Sequence, residues 1–571
     1  MSRKLQGLWI GLLIIAAASR LTALAWMPLA PDEATRALAA LDAARGEGWP
    51  ASAERPLLLV GNAVLFGVFG AGDGIARLLP AMAGVALAAL PLLWRRRLGD
   101  VGALAAAGIL TVSPLALLAG RRVEPTLLGA LGAGGLISLA LLHDDDALAA
   151  WRPVLVAGGV TLAVVGGPSA YDVLLAGALA LAFASFGAGE NRLAVAREWA
   201  RPTLWGLAGA LMISVGLGAR WSGWSGPLDG LAAWLASWRG TDLGPASLSL
   251  LLLYEPLALL LALVGLGYAL RDTVPLPKML IFWSGILVLV LVIRPAAAPT
   301  GMASALLPLA LLVGYGAQQL AAWVPGRSLK WLALHITVSA VLWVPVGLAL
   351  ASHSMAHTTP EVLNGNPAVQ MALVLVGMAI LVGLHVMLGI LFSMVLLPPV
   401  IWRGALLGVA VMLLFLQGRF GVGMAFLNRA TAVEPGLDVV TSPDTRLLLR
   451  TVTDHAHVRG LRADRTDIAL VGLSPEALVA TRWTLRDYAP MEAVVWPDTA
   501  DFVITPAGGD VQPPNAQWVG ARFVSVVRGP WSRFACVSWV PPNCARALRW
   551  YFYREATTES ARQEVLLWRR R

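Results

Sequence analysis

The sequence predicts an all-α polytopic membrane bundle of about thirteen transmembrane helices, followed by a small α/β domain outside the membrane. The 571 residues are 57% hydrophobic and 13% charged, and the mean hydropathy is +0.70. Soluble globular proteins carry about 25% charged residues, so this composition excludes a soluble or disordered protein over most of the chain. Long apolar runs recur as far as residue 417, where short alternating stretches replace them.

Each long apolar run approaches the roughly 20 residues that a helix needs to cross the hydrocarbon core. A shorter run of 14 residues, 57–70, is expected to be interfacial or re-entrant. The predicted spans are 8–27, 75–94, 101–119, 125–142, 154–168, 170–187, 203–219, 247–270, 279–293, 301–322, 331–350, 368–398 and 404–417.

Positive charges set the predicted topology. If 57–70 does not span, the cluster Arg95–Arg97 and all three lysines of the chain face the cytoplasm with the N-terminus, as the positive-inside rule requires. We therefore expect a multi-pass protein of the cytoplasmic membrane, with a transmembrane domain, 1–417, and an extracytoplasmic domain, 418–571. The net charge of +9 comes from residues that flank apolar helices, so nucleic-acid binding is not indicated.

Two features outside the spans have open interpretations. Cys536 and Cys544 would lie in an oxidising compartment, where they form either a disulfide or two free thiols. His353 and His357 belong to a polar outer loop, and two histidines alone do not define a metal site.

The first outer loop, 28–74, carries the candidate catalytic acids. Asp32 and Glu33 follow Pro31 and precede Arg36, which suits the first turn of a helix. The alternative is that a carboxylate here acts as general base toward an acceptor hydroxyl, with its pKa raised by a low-dielectric site beside lipid.

Arginines on the same predicted side are candidate ligands for a lipid phosphate. Arg121 and Arg122 lie with Glu124 in a short outer turn, and Arg20 and Arg294 lie near outer helix ends. They either bind phosphate or snorkel to the interface. Together with the acids they suit group transfer from a lipid-linked phosphate donor. The sequence contains no Walker A or dinucleotide-binding motif, which argues against ATP-driven transport and a nucleotide-sugar enzyme.

Several segments resemble GT-C fold membrane glycosyltransferases of the protein O-mannosyltransferase-like group. In order these are the Asp-Glu pair, Arg55-Pro56-Leu57, FGVFGAGDGIARLLPAMAG and RRRLGDVGALAAAGILTVSP. Later segments are similar to the flippase-activity-associated membrane protein family of archaea and bacteria. These are LLPLALLVGYG, the W-x-L-R-D-Y motif at Trp483–Tyr488, and WYFYREATTESARQEVLLWRR.

The resemblance implies an inverting glycosyltransferase that uses a polyprenyl-phosphate sugar on the outer face of the membrane, with a glycan or protein as acceptor. It assigns the general base to Asp32, with Glu33 beside it, and the donor phosphate to arginines near Arg121. Some members bind a divalent metal ion at such acid pairs, so metal dependence stays open. The W-x-L-R-D-Y motif either contacts a sugar or protein or forms a packing corner.

The chain departs from the family pattern at four positions. Glu54 stands in place of a histidine, Thr126 in place of an aspartate, and Gly166 and Ala297 in place of lysines. These departures favour a second hypothesis, a non-catalytic membrane partner that assists lipid-linked glycan assembly or flipping. A transporter would predict inverted repeats, and no clear repeat is present.

Overall fold

The computed structural model describes most of both predicted domains. The described residues are 3–50, 55–143, 145–185, 192–219, 221–239, 245–294, 299–322, 329–352, 367–427, 432, 434, 437–497, 499–508, 513–514, 517–529 and 560–570. Both cysteines, both outer-loop histidines, Glu54 and Ala297 lie outside these ranges.

Helices dominate the chain as far as residue 422. They are α1 (Arg3–Leu21), α2 (Pro31–Arg45), α3 (Pro56–Phe69), α4 (Asp73–Ala76), α5 (Leu78–Ala89), α6 (Arg95–Val112), α7 (Pro114–Gly120), α8 (Thr126–Leu141), α9 (Arg152–Val165), α10 (Ser169–Ser185), α11 (Arg192–Ser214), α12 (Gly226–Ala236), α13 (Pro245–Tyr254), α14 (Pro256–Arg271), α15 (Pro275–Ile293), α16 (Leu306–Ala321), α17 (Leu329–Ser352), α18 (Pro367–Phe392) and α19 (Pro398–Val422).

Four helical segments among the described residues are both long and apolar enough to cross a membrane, at 3–21, 275–293, 300–321 and 400–427. A fifth is reached if α6 and α7, bent by 60° at Ser113, count as one span. Several other apolar helices are shorter, at 10–17 residues. The mainly helical architecture is confirmed, and the count of thirteen spans stays a prediction.

The bundle packs around α16, which lies against α6 and α14. The contact between α6 and α16 is very close, because a Cβ placed on Gly102 would lie 2.6 Å from the carbonyl oxygen of Gly314. Small residues allow helix backbones to approach in this way, and van der Waals packing then replaces the hydrophobic effect that is missing between helices in lipid.

The buried carboxylate of Glu255 links two positions at which one helix ends and the next begins. Glu255 separates α13 from α14, and its carboxylate accepts hydrogen bonds from the hydroxyl of Ser113, the backbone N–H of Leu115 (3.1 Å) and the amide of Gln417 (2.7 Å). Backbone and side-chain donors therefore satisfy the carboxylate, which holds α7, α14 and α19 together.

The second domain is a small α/β unit, as predicted. Its elements are β1 (Val439–Thr441), α20 (Asp444–Val458), β2 (Ile468–Val471), α21 (Pro475–Thr484), β3 (Met491–Ala493), β4 (Phe502–Pro506), β5 (Trp518–Arg528) and β6 (Ala561–Arg570). The strands form a six-stranded sheet in the order β1-β5-β6-β4-β2-β3. In this sheet β2 runs parallel to both β3 and β4, whereas β6 runs antiparallel to both β4 and β5.

The small domain docks on the first outer loop through the W-x-L-R-D-Y motif. The indole N–H of Trp483 donates to Asp73 (2.7 Å), and its ring lies 5.9 Å from that of Phe66. Arg486 stacks on Trp483 and donates to the carbonyl oxygen of Ala71 (3.2 Å). Trp483 is only 2% exposed. Both side chains therefore occupy a packing corner between the two domains.

The Trp483→Phe substitution keeps an aromatic ring, although a smaller one, and removes the indole N–H donor. We expect a loss of about 1 kcal/mol in stability, because the Asp73 carboxylate loses a charge-assisted hydrogen bond. The melting temperature in detergent should fall, and proteolysis within residues 28–74 should become faster.

Trp496→Phe is the matched control. Trp496 packs against Trp518 and Trp568, and its indole N–H has no hydrogen-bond partner within the described part of the chain. Equal effects of the two substitutions would contradict the assigned role of the Trp483–Asp73 bond.

Candidate active site on the outer loop

The first outer loop is organised by a buried ion pair. Both oxygens of Glu33 accept from Arg77, at 3.0 Å from Nε and 2.7 Å from Nη2, and both side chains are almost fully buried. Glu33 also accepts from the backbone N–H groups of Ala30 (2.9 Å) and Val123 (2.8 Å). The carboxylate thus caps α2 and ties it to the turn between α7 and α8.

Arg77 extends this network to the chain that enters α2. Its guanidinium donates to the carbonyl oxygens of Leu24 (2.9 Å), Met27 (2.8 Å) and Pro28 (3.0 Å). These bonds hold the chain between α1 and α2 against the start of α5. The structure therefore gives Glu33 a positioning role rather than access to substrate.

Asp32 is adjacent in sequence but differs in environment. Its carboxylate is 44% exposed and accepts two hydrogen bonds from Arg122, each of 2.9 Å, and one from Arg36 at 3.0 Å. Arg36 also donates to the carbonyl oxygen of Val123 (2.8 Å), which fixes the guanidinium over the turn. The structure thus brings together three of the predicted site residues.

The ion pairs lower the pKa of Asp32. Burial acts to raise it, but the positive charges of Arg122 and Arg36 outweigh burial and the neighbouring Glu33. The expectation that this pKa is raised is therefore wrong, because Arg122, whose charge lowers the pKa most, is far from Asp32 in the sequence. Burial likewise acts to lower the pKa of Arg122, yet the field of Asp32, Glu33 and Glu124 raises it.

Glu124 lies on the far side of Arg122. It is 7% exposed, lies 3.9 Å from the Nε of Arg122, and accepts hydrogen bonds from the hydroxyls of Thr126 (3.1 Å) and Thr300. A carboxylate therefore touches Thr126, the position where the resemblance expects an aspartate.

Arg20 and Arg121 do not join this cluster. Arg20 is fully buried and donates to the carbonyl oxygens of Leu110 (2.7 Å) and Thr111 (3.4 Å). Arg121 is 1% exposed, stacks on Phe426, and donates to carbonyl oxygens at the end of α1, including Ser19 (2.9 Å). Both guanidinium groups are buried and donate to carbonyl oxygens near helix ends, and their role in phosphate binding stays a prediction.

Arg294 has a partner that sequence analysis missed. It forms a buried ion pair with Asp172 (2.7 Å) and donates to the hydroxyl of Ser237 (3.1 Å). Asp172 also accepts from the indole N–H of Trp234 (2.8 Å). This arrangement ties α10, α12 and the end of α15 together, apart from Asp32.

Gly166, one of the four departures from the family pattern, lies at a closely packed position. Gly166 has no room for a side chain, since a Cβ there would lie 2.2 Å from the carbonyl oxygen of Leu162 and 2.9 Å from the backbone nitrogen of Gly129.

Asp438 of the small domain lies within the electrostatic field of Arg122. Burial raises the pKa of Asp438, although the charges of Arg122 and Arg528 oppose the shift. No local pattern connects Asp438 with the first loop.

The acid pair does not fit a divalent metal ion. Glu33 directs both oxygens to Arg77, so Asp32 and Glu33 do not offer two carboxylates to one cation. Within the described ranges, no group of three or more His, Cys, Asp or Glu side chains could hold a metal.

Solved structures of ArnT share this fold. ArnT from Cupriavidus metallidurans bound to undecaprenyl phosphate has a TM-score of 0.53 and 15% identity, and the match covers 87% of this chain and 93% of ArnT. The apo form of that protein has a TM-score of 0.52 and 16% identity, with 98% of both chains covered. AglB, an archaeal oligosaccharyltransferase from Archaeoglobus fulgidus, has a TM-score of 0.43 and 11% identity, with 88% of this chain and 69% of AglB covered.

No family model matches the chain, and no curated protein matches its sequence. The likeness to ArnT extends over nearly the whole chain and shows the fold, which is the GT-C fold of membrane glycosyltransferases. The predicted fold class is confirmed at this level. The finer resemblance to the protein O-mannosyltransferase-like group and to the flippase-activity-associated family stays a prediction.

The substitution Arg122→Gln removes two of the three described guanidinium bonds to Asp32. We expect the pKa of Asp32 to rise, because the substitution removes the positive charge that lowers this pKa most. Infrared difference spectra between each form and its Asp32→Asn counterpart measure the titration.

In the wild type the carboxylate stays ionised at neutral pH, and its ion pairs are lost only as pH falls through the lowered pKa. Arg45→Gln is the control. Arg45 lies on the same helix as Asp32, α2, but donates to the carbonyl oxygen of Arg486 and not to Asp32. An unchanged pKa in Arg122→Gln would refute the assigned cause.

Proposed function

We propose that the protein is a membrane glycosyltransferase that moves a sugar from a polyprenyl-phosphate donor to an acceptor on the outer face of the cytoplasmic membrane. The GT-C fold supports the reaction class, and a relative of this fold is known with undecaprenyl phosphate bound. The observation that carries the proposal is the partly exposed Asp32 carboxylate, held by two arginines.

In the proposed reaction Asp32 is the general base. An acceptor hydroxyl attacks the anomeric carbon, and its proton passes to the Asp32 carboxylate as the new glycosidic bond forms. The bond between the anomeric carbon and the phosphate oxygen breaks, and the polyprenyl phosphate leaves with the electron pair. Attack opposite the leaving group inverts the configuration.

Two arginines of the predicted phosphate-binding set, Arg36 and Arg122, are partly exposed and lie beside Asp32. Their side chains are 24% and 12% exposed. A donor phosphate that drew either guanidinium toward itself would weaken the ion pair with Asp32. The pKa of Asp32 would then rise toward the range in which a carboxylate is an effective base. Asp32 would thus become an effective base only while the donor is bound.

A second candidate function is the non-catalytic partner in lipid-linked glycan assembly or flipping. The burial of Arg20 and Arg121 on helix carbonyls favours it, as does the close packing at Gly166. This alternative predicts that the protein binds lipid-linked sugar without turnover.

The Asp32→Asn substitution tests the two candidates. The asparagine keeps the shape and loses the base, so transfer should fall by at least about 100-fold, as expected for loss of a general base. The assay measures transfer from radiolabelled polyprenyl-phosphate sugars by purified protein.

Asp42→Asn is the matched control, because Asp42 lies on the same helix, α2, away from the arginine pair. Wild-type transfer in Asp32→Asn would remove Asp32 as base. Saturable donor binding without any turnover by the wild-type protein would favour the non-catalytic partner.

A further inference from the structure

The small domain has a crevice at the position where open α/β sheets bind ligands. From β2 the chain passes through α21 to β3 on one side, whereas β4 lies on the other side of β2 and leads to β5 and β6. The direction of the connections therefore reverses between β2 and β4. In parallel α/β sheets, ligands bind outside the carboxyl ends of the strands at such a reversal.

A cavity of about 620 Å³ lies at this point. Its walls come from the turn after β2, the first turn of α21, the turn after β4 and the start of β6, with Arg522 of β5. Cavities of about 300–1,000 Å³ accommodate small organic ligands. The volume suits one or two sugar units.

The charged groups in the walls favour an anion. Arg522 and Arg562 line the cavity together with one acid, Glu564. Arg522 lies 3.2 Å from Glu564. The side chain of Arg562 is exposed and forms no hydrogen bond or ion pair with the residues that the structure describes. Its guanidinium group can bind the oxygens of a phosphate in bidentate fashion.

The remaining walls suit a saccharide. Ser474 and Gln563 are hydrogen-bonded to each other (2.7 Å), so their polar groups are held at fixed positions beside the cavity. Leu473 is only partly buried and provides apolar surface for the face of a sugar ring, whereas Ala477 and Val565 are buried in the wall behind the cavity surface. Ser474 also caps α21 and orients the first turn of that helix toward the same space.

We propose that this crevice is a second binding site, which takes the phosphate-bearing end of a saccharide. Arg562 binds the phosphate and Arg522 supports it, while Gln563 and Ser474 contact the sugar hydroxyls. The site is separate from Asp32 and does not depend on the proposed transfer reaction.

Calorimetric titration of the full-length protein in detergent tests this site with glucose 1-phosphate, inorganic phosphate and glucose as probes. We expect glucose 1-phosphate to bind more tightly than inorganic phosphate, and glucose to bind much more weakly than either. The double substitution Arg522→Gln and Arg562→Gln should weaken glucose 1-phosphate binding by about tenfold or more, since it removes both charged donors.

Arg569→Gln is the control, because Arg569 lies on the same strand, β6, outside the cavity. It should bind as the wild type does, and so should Asp32→Asn, which separates this site from the transferase proposal. Melting temperatures show whether the double variant is folded. Wild-type affinity in a folded double variant, equal binding of glucose, or no binding of either phosphate probe up to about 10 mM would overturn the proposal.

Discussion

The buried ion pair between Glu33 and Arg77 is the interaction on which the loop that carries Asp32 depends. Two charges removed from water are stable only when every donor and acceptor is satisfied, and here carbonyl oxygens and backbone N–H groups complete the set. The pair joins the end of α1, the start of α2, the start of α5 and the α7–α8 turn. The loop that carries Asp32 is therefore a fixed part of the fold.

This arrangement gives the two adjacent acids, Asp32 and Glu33, different environments. Successive residues on a helix point about 100° apart, so Glu33 is buried in the bundle while Asp32 is partly exposed. The small domain also packs on this loop, since Trp483 and Arg486 bond to it. The proposed base is thus supported by one buried ion pair and by a packed domain.

Sequence predicted what depends on composition and local order, namely the helical bundle, the α/β domain after it, and the helix that begins at Pro31. The sequence also predicted that Asp32, Arg36 and Arg122 lie on one side of the bundle. It could not show where a side chain bonds to distant backbone: Arg20 and Arg121 donate to helix carbonyls, and no local pattern reveals such partners. The pKa direction of Asp32 was wrong for the same reason, because it is set by an arginine far away in sequence.

A double-mutant cycle between Glu33 and Arg77 tests the central claim most directly, with melting temperature and transfer rate as readouts. Removing one partner of a buried ion pair costs about 3–5 kcal/mol because the other charge is left unpaired. We predict that Glu33→Gln and Arg77→Gln each cause a large loss, and that the double variant loses much less than the sum. Additive losses, or a Glu33→Gln protein with wild-type stability and transfer, would contradict the account.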